Sequence, residues 1–132
     1  GRMMQWPDIR PVAVAHLLAA LSLPAGRVAT KVPGNVETLP KFVRIARGPG
    51  SDDEVTDSFL LDVETFTPAA STDAWPLAEG ARQAMHALAG TVVRGVLIDS
   101  VTTATSPTEV DYGNPGVVRF VASYRVELRK VA

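Results

Sequence analysis

The C-terminal part of the chain contains one long stretch of alternating residue types. Between residues 117 and 129 every second side chain is apolar, namely Val118, Phe120, Ala122, Tyr124, Val126 and Leu128. Successive side chains of a strand point to opposite faces of a sheet, so this pattern predicts a long strand with one buried face. The side chains predicted to face outward are Arg119, Val121, Ser123, Arg125, Glu127 and Arg129. Because the apolar face must be covered, the strand predicts a sheet with a second layer packed on it.

Other segments predict the remaining strands and two helices. Residues 41–47 and 58–66 also alternate, residues 92–103 form a further candidate strand, and residues 27–32 form a less regular one. Residues 8–21 have helical periodicity, with Asp8 as the predicted N-cap. A second helix is predicted to start at residues 71–73 and to end before Gly90, which is a typical C-terminal residue.

The order of these elements predicts the fold class. We expect an α+β domain over residues 1–132, with the order α-β-β-β-α-β-β. Strands joined by turns favour a mostly antiparallel sheet of four to five strands, with both helices on one face. Three loops are predicted at residues 32–41, 48–57 and 105–116, and the middle one is acidic and expected to be mobile. We interpret Gly1 and Arg2, which precede Met3, as a cloning remnant.

Composition and charge argue against several classes of function. The chain has no cysteine, which excludes disulfides and thiolate metal sites. Its 13 Lys and Arg residues are balanced by 14 Asp and Glu residues, whereas a general nucleic-acid binder needs a basic excess. The longest apolar stretch, residues 12–23, is shorter than the roughly 20 residues of a membrane span. No secretory signal pattern precedes it.

No pattern in the chain predicts a catalytic site, a metal site or a cofactor. His16 and His86 stand alone, and the nucleophile elbow and the phosphate-binding loop are absent. Asp52, Asp53 and Glu54 could bind a hard cation, but they lack the spacing of a calcium loop, so a solvated acidic loop is the favoured interpretation. Asp62 and Glu64 share one strand face, an arrangement that suits a general acid and base, but pairing with arginines across the strands is favoured.

The outward face of the sheet is the most informative surface. It is predicted to carry charges of both signs, namely Arg44, Asp62, Glu64, Arg119, Arg125, Glu127 and Arg129. Interfaces between proteins are enriched in arginine and in apolar anchors, and this face interleaves its charges with Leu60, Phe66 and Val121. The face therefore favours an assembly subunit over an enzyme.

Several segments together resemble the tail terminator (tail completion) proteins of long-tailed bacteriophages with non-contractile tails. They are the opening helix at residues 8–21, residues 27–33 (RVATKVP), the strands at residues 40–45 and 59–66, and a helix ending in His86-Ala-Leu88. The last segment is residues 116–129 (GVVRFVASYRVELR), in which an arginine starts the strand, an aromatic follows five residues later and an arginine ends it. The acidic loop at residues 48–57 is longer than the pattern of the family.

The resemblance implies a virion protein without catalytic activity. Such proteins form hexameric rings that cap the last ring of the tail tube, stop its polymerisation and join the head connector, while DNA passes through the lumen without specific binding. This protein would then be made in the host cytoplasm and sit at the head-proximal end of the tail. A ring needs two different patches on each subunit. The outward face would supply one and Glu79, Arg82 and His86 the other, while Asp52, Asp53, Glu54, Asp111 and Tyr112 would contact the tube or the connector.

Two alternatives remain open at this point. One is another ring protein of the head-to-tail junction, such as a connector or stopper. The other is a small ligand-binding or hydrolytic domain that uses Asp62, Glu64 and His86, and it requires a pocket that gathers these three side chains.

Overall fold

The computed structural model describes residues 5–131, so Gly1 and Arg2 lie outside the described part of the chain. A one-turn 3-10 helix at Val36–Thr38 precedes the second strand. The helices and strands, in chain order, are α1 (Arg10–Ala20), β1 (Val28–Ala29), β2 (Phe42–Asp52), β3 (Thr56–Pro68), α2 (Ala74–His86), β4 (Val92–Val93), β5 (Val96–Glu109) and β6 (Val117–Lys130). No helix within residues 5–131 has the length and apolar character that crossing a bilayer requires.

The predicted fold class is wrong in the number and order of the strands. The sheet is a curled, mixed sheet of six strands in the order β1-β2-β3-β6-β5-β4, whereas four to five mostly antiparallel strands were predicted. β1 runs parallel to β2, and the other neighbours are antiparallel. The element order has three strands after α2 instead of two.

A tight turn accounts for the additional strand. Residues 92–103, predicted as one strand, are interrupted at Arg94 and Gly95, whose φ angles are +49° and +75°. Two consecutive residues with positive φ form the hairpin turn that matches the twist of antiparallel strands. The chain therefore folds back after Val93, and β4 pairs with the first residues of β5.

Strands extend into two of the three predicted loops. β2 continues to Asp52 and β3 begins at Thr56, so the predicted acidic loop is a tight hairpin whose tip is also held by a hydrogen bond from Lys130 N to Val55 O (3.2 Å). β2 passes its Gly-Pro-Gly sequence through an irregular register between Arg47 and Gly50. A Cβ atom at Gly50 would lie 2.1 Å from Ser58 O, so only glycine fits there. Likewise, β5 extends to Glu109 and includes half of the predicted loop at 105–116.

The helix starts differ in detail from the prediction. α1 begins at Arg10 with Ile9 as its N-cap residue, not Asp8. Asp8 instead accepts a hydrogen bond from Arg10 N (3.0 Å) and pairs with the Arg10 guanidinium at 2.9 Å. α2 begins at Ala74 as expected, but its N-cap Asp73 makes no side-chain cap; Ser71 Oγ accepts a hydrogen bond from Asp73 N (3.0 Å).

Both helices pack on one face of the sheet, which we call the helix-covered face. Ala13 and Leu17 of α1 and Leu77, Ala81 and Met85 of α2 share one apolar core with the strands. The strand residues in that core are Val28, Val43, Ile45, Phe59, Leu61, Val63, Val96, Ile98, Val101, Ala122, Tyr124, Val126 and Leu128. His16 is half-buried, and its Nε2 lies 2.7 Å from Ala84 O, a contact that links the two helices.

A second, smaller apolar cluster lies on the opposite face, at one end of the sheet. Phe42 and Phe66 face each other on β2 and β3 and are buried with Val36 and Val117. The segments before β2 and before β6 fold over them, and Tyr112 contributes its ring at 5.1 Å from Phe66. Only the remainder of that face is left open.

Candidate functional site

The outer face is defined here as the sheet face opposite the helices. The predicted alternation of β6 is confirmed from Ala122 to Leu128, where the apolar side chains are buried and those between them are half-exposed. Val118 and Phe120 are only half-buried, because they lie where the helix layer ends and Phe120 is covered on one side by Trp75 (5.7 Å between ring centroids).

Glu64 lies between two arginines on the outer face. Arg44 is its direct partner across β2 and β3, with Nη1 at 3.3 Å from Glu64 Oε1. Arg119 of β6 reaches the same oxygen at 3.6 Å. Arg44 Nε also donates to Thr30 O (3.2 Å). The Glu64 side chain is only 14% exposed, so one charge is shared by two guanidinium groups in a partly desolvated position.

The other half of the outer face is less neutralised. Ser123 Oγ donates to Asp62 Oδ1 (2.7 Å), and Arg125 Nη1 donates to Ser58 Oγ (3.1 Å). Within residues 5–131, Arg125 and Glu127 form no ion pair. Arg129 pairs with Asp99 of β5 at 3.3 Å, a residue that the pattern of the strands did not single out. The two charges at Arg125 and Glu127 are therefore available to a partner.

The predicted second patch lies on α2, on the other side of the molecule. Arg82 and Glu79 form an ion pair one helical turn apart. The hydrogen bond that the Arg82 guanidinium donates to Glu79 holds the pKa of Glu79 below its usual value. His86 Nε2 lies 2.7 Å from Thr103 Oγ1, and its ring meets the edge of Tyr124 at 6.1 Å. His86 therefore packs over the helix-covered face, away from Asp62 and Glu64. The pocket that the ligand-binding or hydrolytic alternative requires does not form among the described residues.

Most of the predicted loop contacts are occupied within the chain itself. Asp53 Oδ1 accepts hydrogen bonds from Val55 N and Thr56 N (both 2.7 Å), and these bonds lower the pKa of Asp53. Asp111 Oδ1 accepts from Gly113 N (3.1 Å). Tyr112 packs on Phe66, with the Arg119 guanidinium 6.0 Å from its ring centroid. Asp52 and Glu54 are exposed at the hairpin tip.

Acidic residues near the hairpin do not form a metal site. Asp57 is buried against Arg47, with 3.2 Å between Arg47 Nη2 and Asp57 Oδ2, and Arg47 also stacks over Phe59 at 3.8 Å. Across residues 5–131 no group of three or more histidine and carboxylate side chains is placed to hold a metal ion. The side chains of this region stabilise the hairpin.

Sequence reasoning missed a groove beside α1. It has a volume of about 560 Å³ and is lined by Val14, Ala15 and Leu18 of α1 and by Val28 and Ala29 of β1. The available signal is the stretch of residues 11–26, which contains no Lys, Arg, Asp or Glu. A helix that is apolar on all sides is ordinarily covered on all sides. In α1 only Ala13 and Leu17 are buried.

Comparison with known proteins finds a likeness in fold. The sequence matches no protein-family model and no curated protein. Among solved structures, 13 chains match the fold. One is a chain of the virion of a native gene transfer agent (GTA) particle, with a TM-score of 0.54 and 17% identity over 86% of this chain and 84% of that chain. At this level of identity the likeness shows a shared fold.

Proposed function

We propose that this chain is a structural subunit of a phage-like virion. The observation that carries the proposal is the fold shared with a chain of a gene transfer agent virion, over 86% of this chain. The surface supports the same conclusion, because the sheet presents a broad outer face whose charges at Arg125 and Glu127 have no ionic partner in the described chain. Such a face suits contact with another protein better than chemistry on a small substrate.

Within the virion, the proposed role is that of a tail terminator. The subunit forms a ring, which we propose to be hexameric, on the last ring of the tail tube, ends polymerisation there and offers its other side to the head connector. DNA passes through the lumen. The near-neutral net charge of -1 suits a lumen that does not retain DNA. The sequence segments that resemble tail terminators include residues of both helices and of β2, β3 and β6, which supports this role.

Another ring protein of the head-to-tail junction is the second candidate. It shares the need for a ring and the same outer face, so the two differ only in where the ring sits. Removing the gene from a producing phage separates them. A terminator is expected to leave abnormally long tails without heads when it is absent, whereas tails of normal length would contradict the terminator role.

At residue level, Arg125→Glu tests the outer face. The guanidinium has only the neutral Ser58 as a side-chain partner, so the reversal is expected to change the free energy of unfolding by less than about 1 kcal/mol. We expect it to abolish ring formation or head joining, read by native mass spectrometry and by the yield of complete particles. Arg125→Lys keeps the charge and is the matched control. Normal assembly of Arg125→Glu would remove this part of the face from the interface.

A further inference from the structure

We infer that copies of this chain join head to tail through the two opposite edges of the sheet. The groove between α1 and β1 on one copy receives the exposed edge of β5 on the next. This inference rests on the proposed ring function and deepens it, because it names the two surfaces that meet. Neither surface belongs to the outer face or to the patch on α2, which in this arrangement stay free to contact the tail tube and the head connector.

The edge formed by β5 is open over most of its length. β4 pairs only with Val96 and Leu97, and within the described residues no strand lies beside β5 from Ser100 to Glu109 on that side. Proteins usually protect such edges with charges or prolines. Residues 100–106 (SVTTATS) contain neither. Val92 and Val110, at the two ends of this edge, are 59% and 39% exposed. Pro107 and Glu109 protect only the C-terminal part of this edge, so residues 100–106 are its unprotected part.

The opposite edge offers an uncharged surface of a different shape. The groove between α1 and β1 has Val14, Ala15 and Leu18 on its helical wall. Of the nine lining residues only Asp8 and Arg10 are charged, and they pair with each other; Lys31 follows the lining residue Thr30. Its open volume of about 560 Å³ is large enough for several side chains.

Symmetry and charge favour a head-to-tail contact over a contact of like edges. Two β5 edges both carry Glu109, and Asp99 is already paired with Arg129, so a contact of like edges brings no opposite charge to Glu109. Three irregularities in the register of β5 against β6 also bend this edge, which disfavours a flat ladder between copies. Against the groove, Glu109 at the end of β5 instead meets a surface beside which Lys31 lies, whereas Arg10 is already paired with Asp8. Two different patches at opposite edges generate a ring when the rotation closes.

The absence of cysteine from the chain allows a direct test by cross-linking. Ala15 and Ala104 are exposed, and they lie on the groove and on the β5 edge respectively. The double variant Ala15→Cys, Ala104→Cys and each single variant are treated with a short bis-maleimide, both as purified protein and within particles that contain it. Only a head-to-tail contact links one site to the other, so we expect a ladder of covalent oligomers from the double variant and none from the single variants.

Four outcomes are distinguished. A ladder supports the inference. Rings in native mass spectrometry without a ladder, or a product of Ala104→Cys alone that stops at the dimer, overturn the head-to-tail contact and leave the ring function standing. A chain that stays monomeric at high concentration and is missing from particles overturns both. A ladder from a protein whose loss does not affect tails would overturn the proposed function alone.

A charge placed in the groove provides a second readout that does not depend on cysteines. We expect Ala15→Glu to raise the concentration at half assembly by at least about tenfold, since it buries an unpaired carboxylate at the contact. Ala20→Glu is the matched control, because Ala20 is exposed on the same helix but does not line the groove. Equal assembly of the two variants would contradict the placement of the groove in the contact.

Discussion

The two faces of the sheet are built from the same strands but are completed in different ways. On the helix-covered face, Leu61, Val63 and Val126 pack against α1 and α2 and are almost inaccessible to water. On the outer face, Leu60, Asp62 and Arg125 alternate with them and remain partly exposed. The first face is complete within one chain. The second has its own cover only at one end, over Phe42 and Phe66, so the rest of this face is open in the isolated chain.

The two faces also differ in whether their polar side-chain atoms have hydrogen-bond partners. On the helix-covered face, the hydroxyls of Thr65, Thr67 and Tyr124 are buried without a hydrogen-bond partner. On the outer face, Asp62 and Glu64 accept hydrogen bonds from neighbouring strands, and among the described residues only Arg119 Nε is buried there without a partner. The helix-covered face gains its stability from apolar packing in spite of its polar atoms, whereas the outer face holds its charged groups in fixed positions at little gain in stability.

The largest expected effect comes from truncating neighbouring leucines on the two faces. Leu61→Ala leaves a cavity in the core and is expected to lower the free energy of unfolding by about 3 kcal/mol, as measured by urea denaturation. Leu60→Ala is the matched control, one residue away on the same strand but on the half-exposed outer face. We expect it to cost under about 1 kcal/mol.

Equal losses in the free energy of unfolding from Leu60→Ala and Leu61→Ala would contradict the difference between the faces, since they would mean that the outer face is covered even in the isolated chain. A larger loss for Leu60→Ala in the assembled protein than in the monomer would show that assembly covers the outer face. The comparison between monomer and assembly needs only the same two variants, measured below and above the concentration at which the protein associates.

The next effect concerns the end of the outer face that has a cover. Tyr112→Ala removes the ring that packs edge-on against Phe66 and faces Arg119, and it should lower the free energy of unfolding by about 1 to 2 kcal/mol. Tyr112→Phe keeps the ring and should retain most of the stability. If Tyr112→Ala were neutral, the second cluster would not contribute to the fold, and the outer face would be an open surface along its whole length.

The sequence predicted the parts of the fold that have strong periodicity. β6 and β3 lie within a few residues of their predicted bounds, because alternation over many residues leaves one arrangement of buried and exposed side chains. The number of strands was wrong for a local reason. β1 and β4 have only two residues each, and such short pairings are decided by neighbouring strands and by the turn at Arg94 and Gly95.

Ranges predicted as loops were wrong where strand and turn signals conflict. Gly48, Pro49 and Gly50 are typical of a turn, yet β2 continues through them with an irregular register. Glycine is needed at position 50 for a different reason, because β3 approaches it too closely for a side chain. The charges of the outer face were predicted from alternation alone. The pairing of Arg129 with Asp99 was not, because it depends on which strand lies next to β6, and alternation within a strand carries no information about its neighbours.

The smallest effect at neutral pH tests the unpartnered hydroxyl on the helix-covered face. Tyr124 is completely buried, and burial raises its pKa to about 12. Tyr124→Phe removes a polar group without a partner, so the free energy of unfolding should stay equal or rise by up to about 1 kcal/mol.

The same hydroxyl makes stability depend on pH in the wild type. In the unfolded chain Tyr124 ionises near pH 10, whereas in the folded chain it holds its proton to about pH 12. The stability contributed by this proton is therefore present below pH 10 and lost as pH rises towards 12. Urea denaturation between pH 8 and pH 11.5 should therefore show a steeper loss for the wild type than for Tyr124→Phe. Parallel losses, or a clear destabilisation by Tyr124→Phe at pH 7, would show that the hydroxyl has a partner, and the contrast in polar pairing between the two faces would fail at this residue.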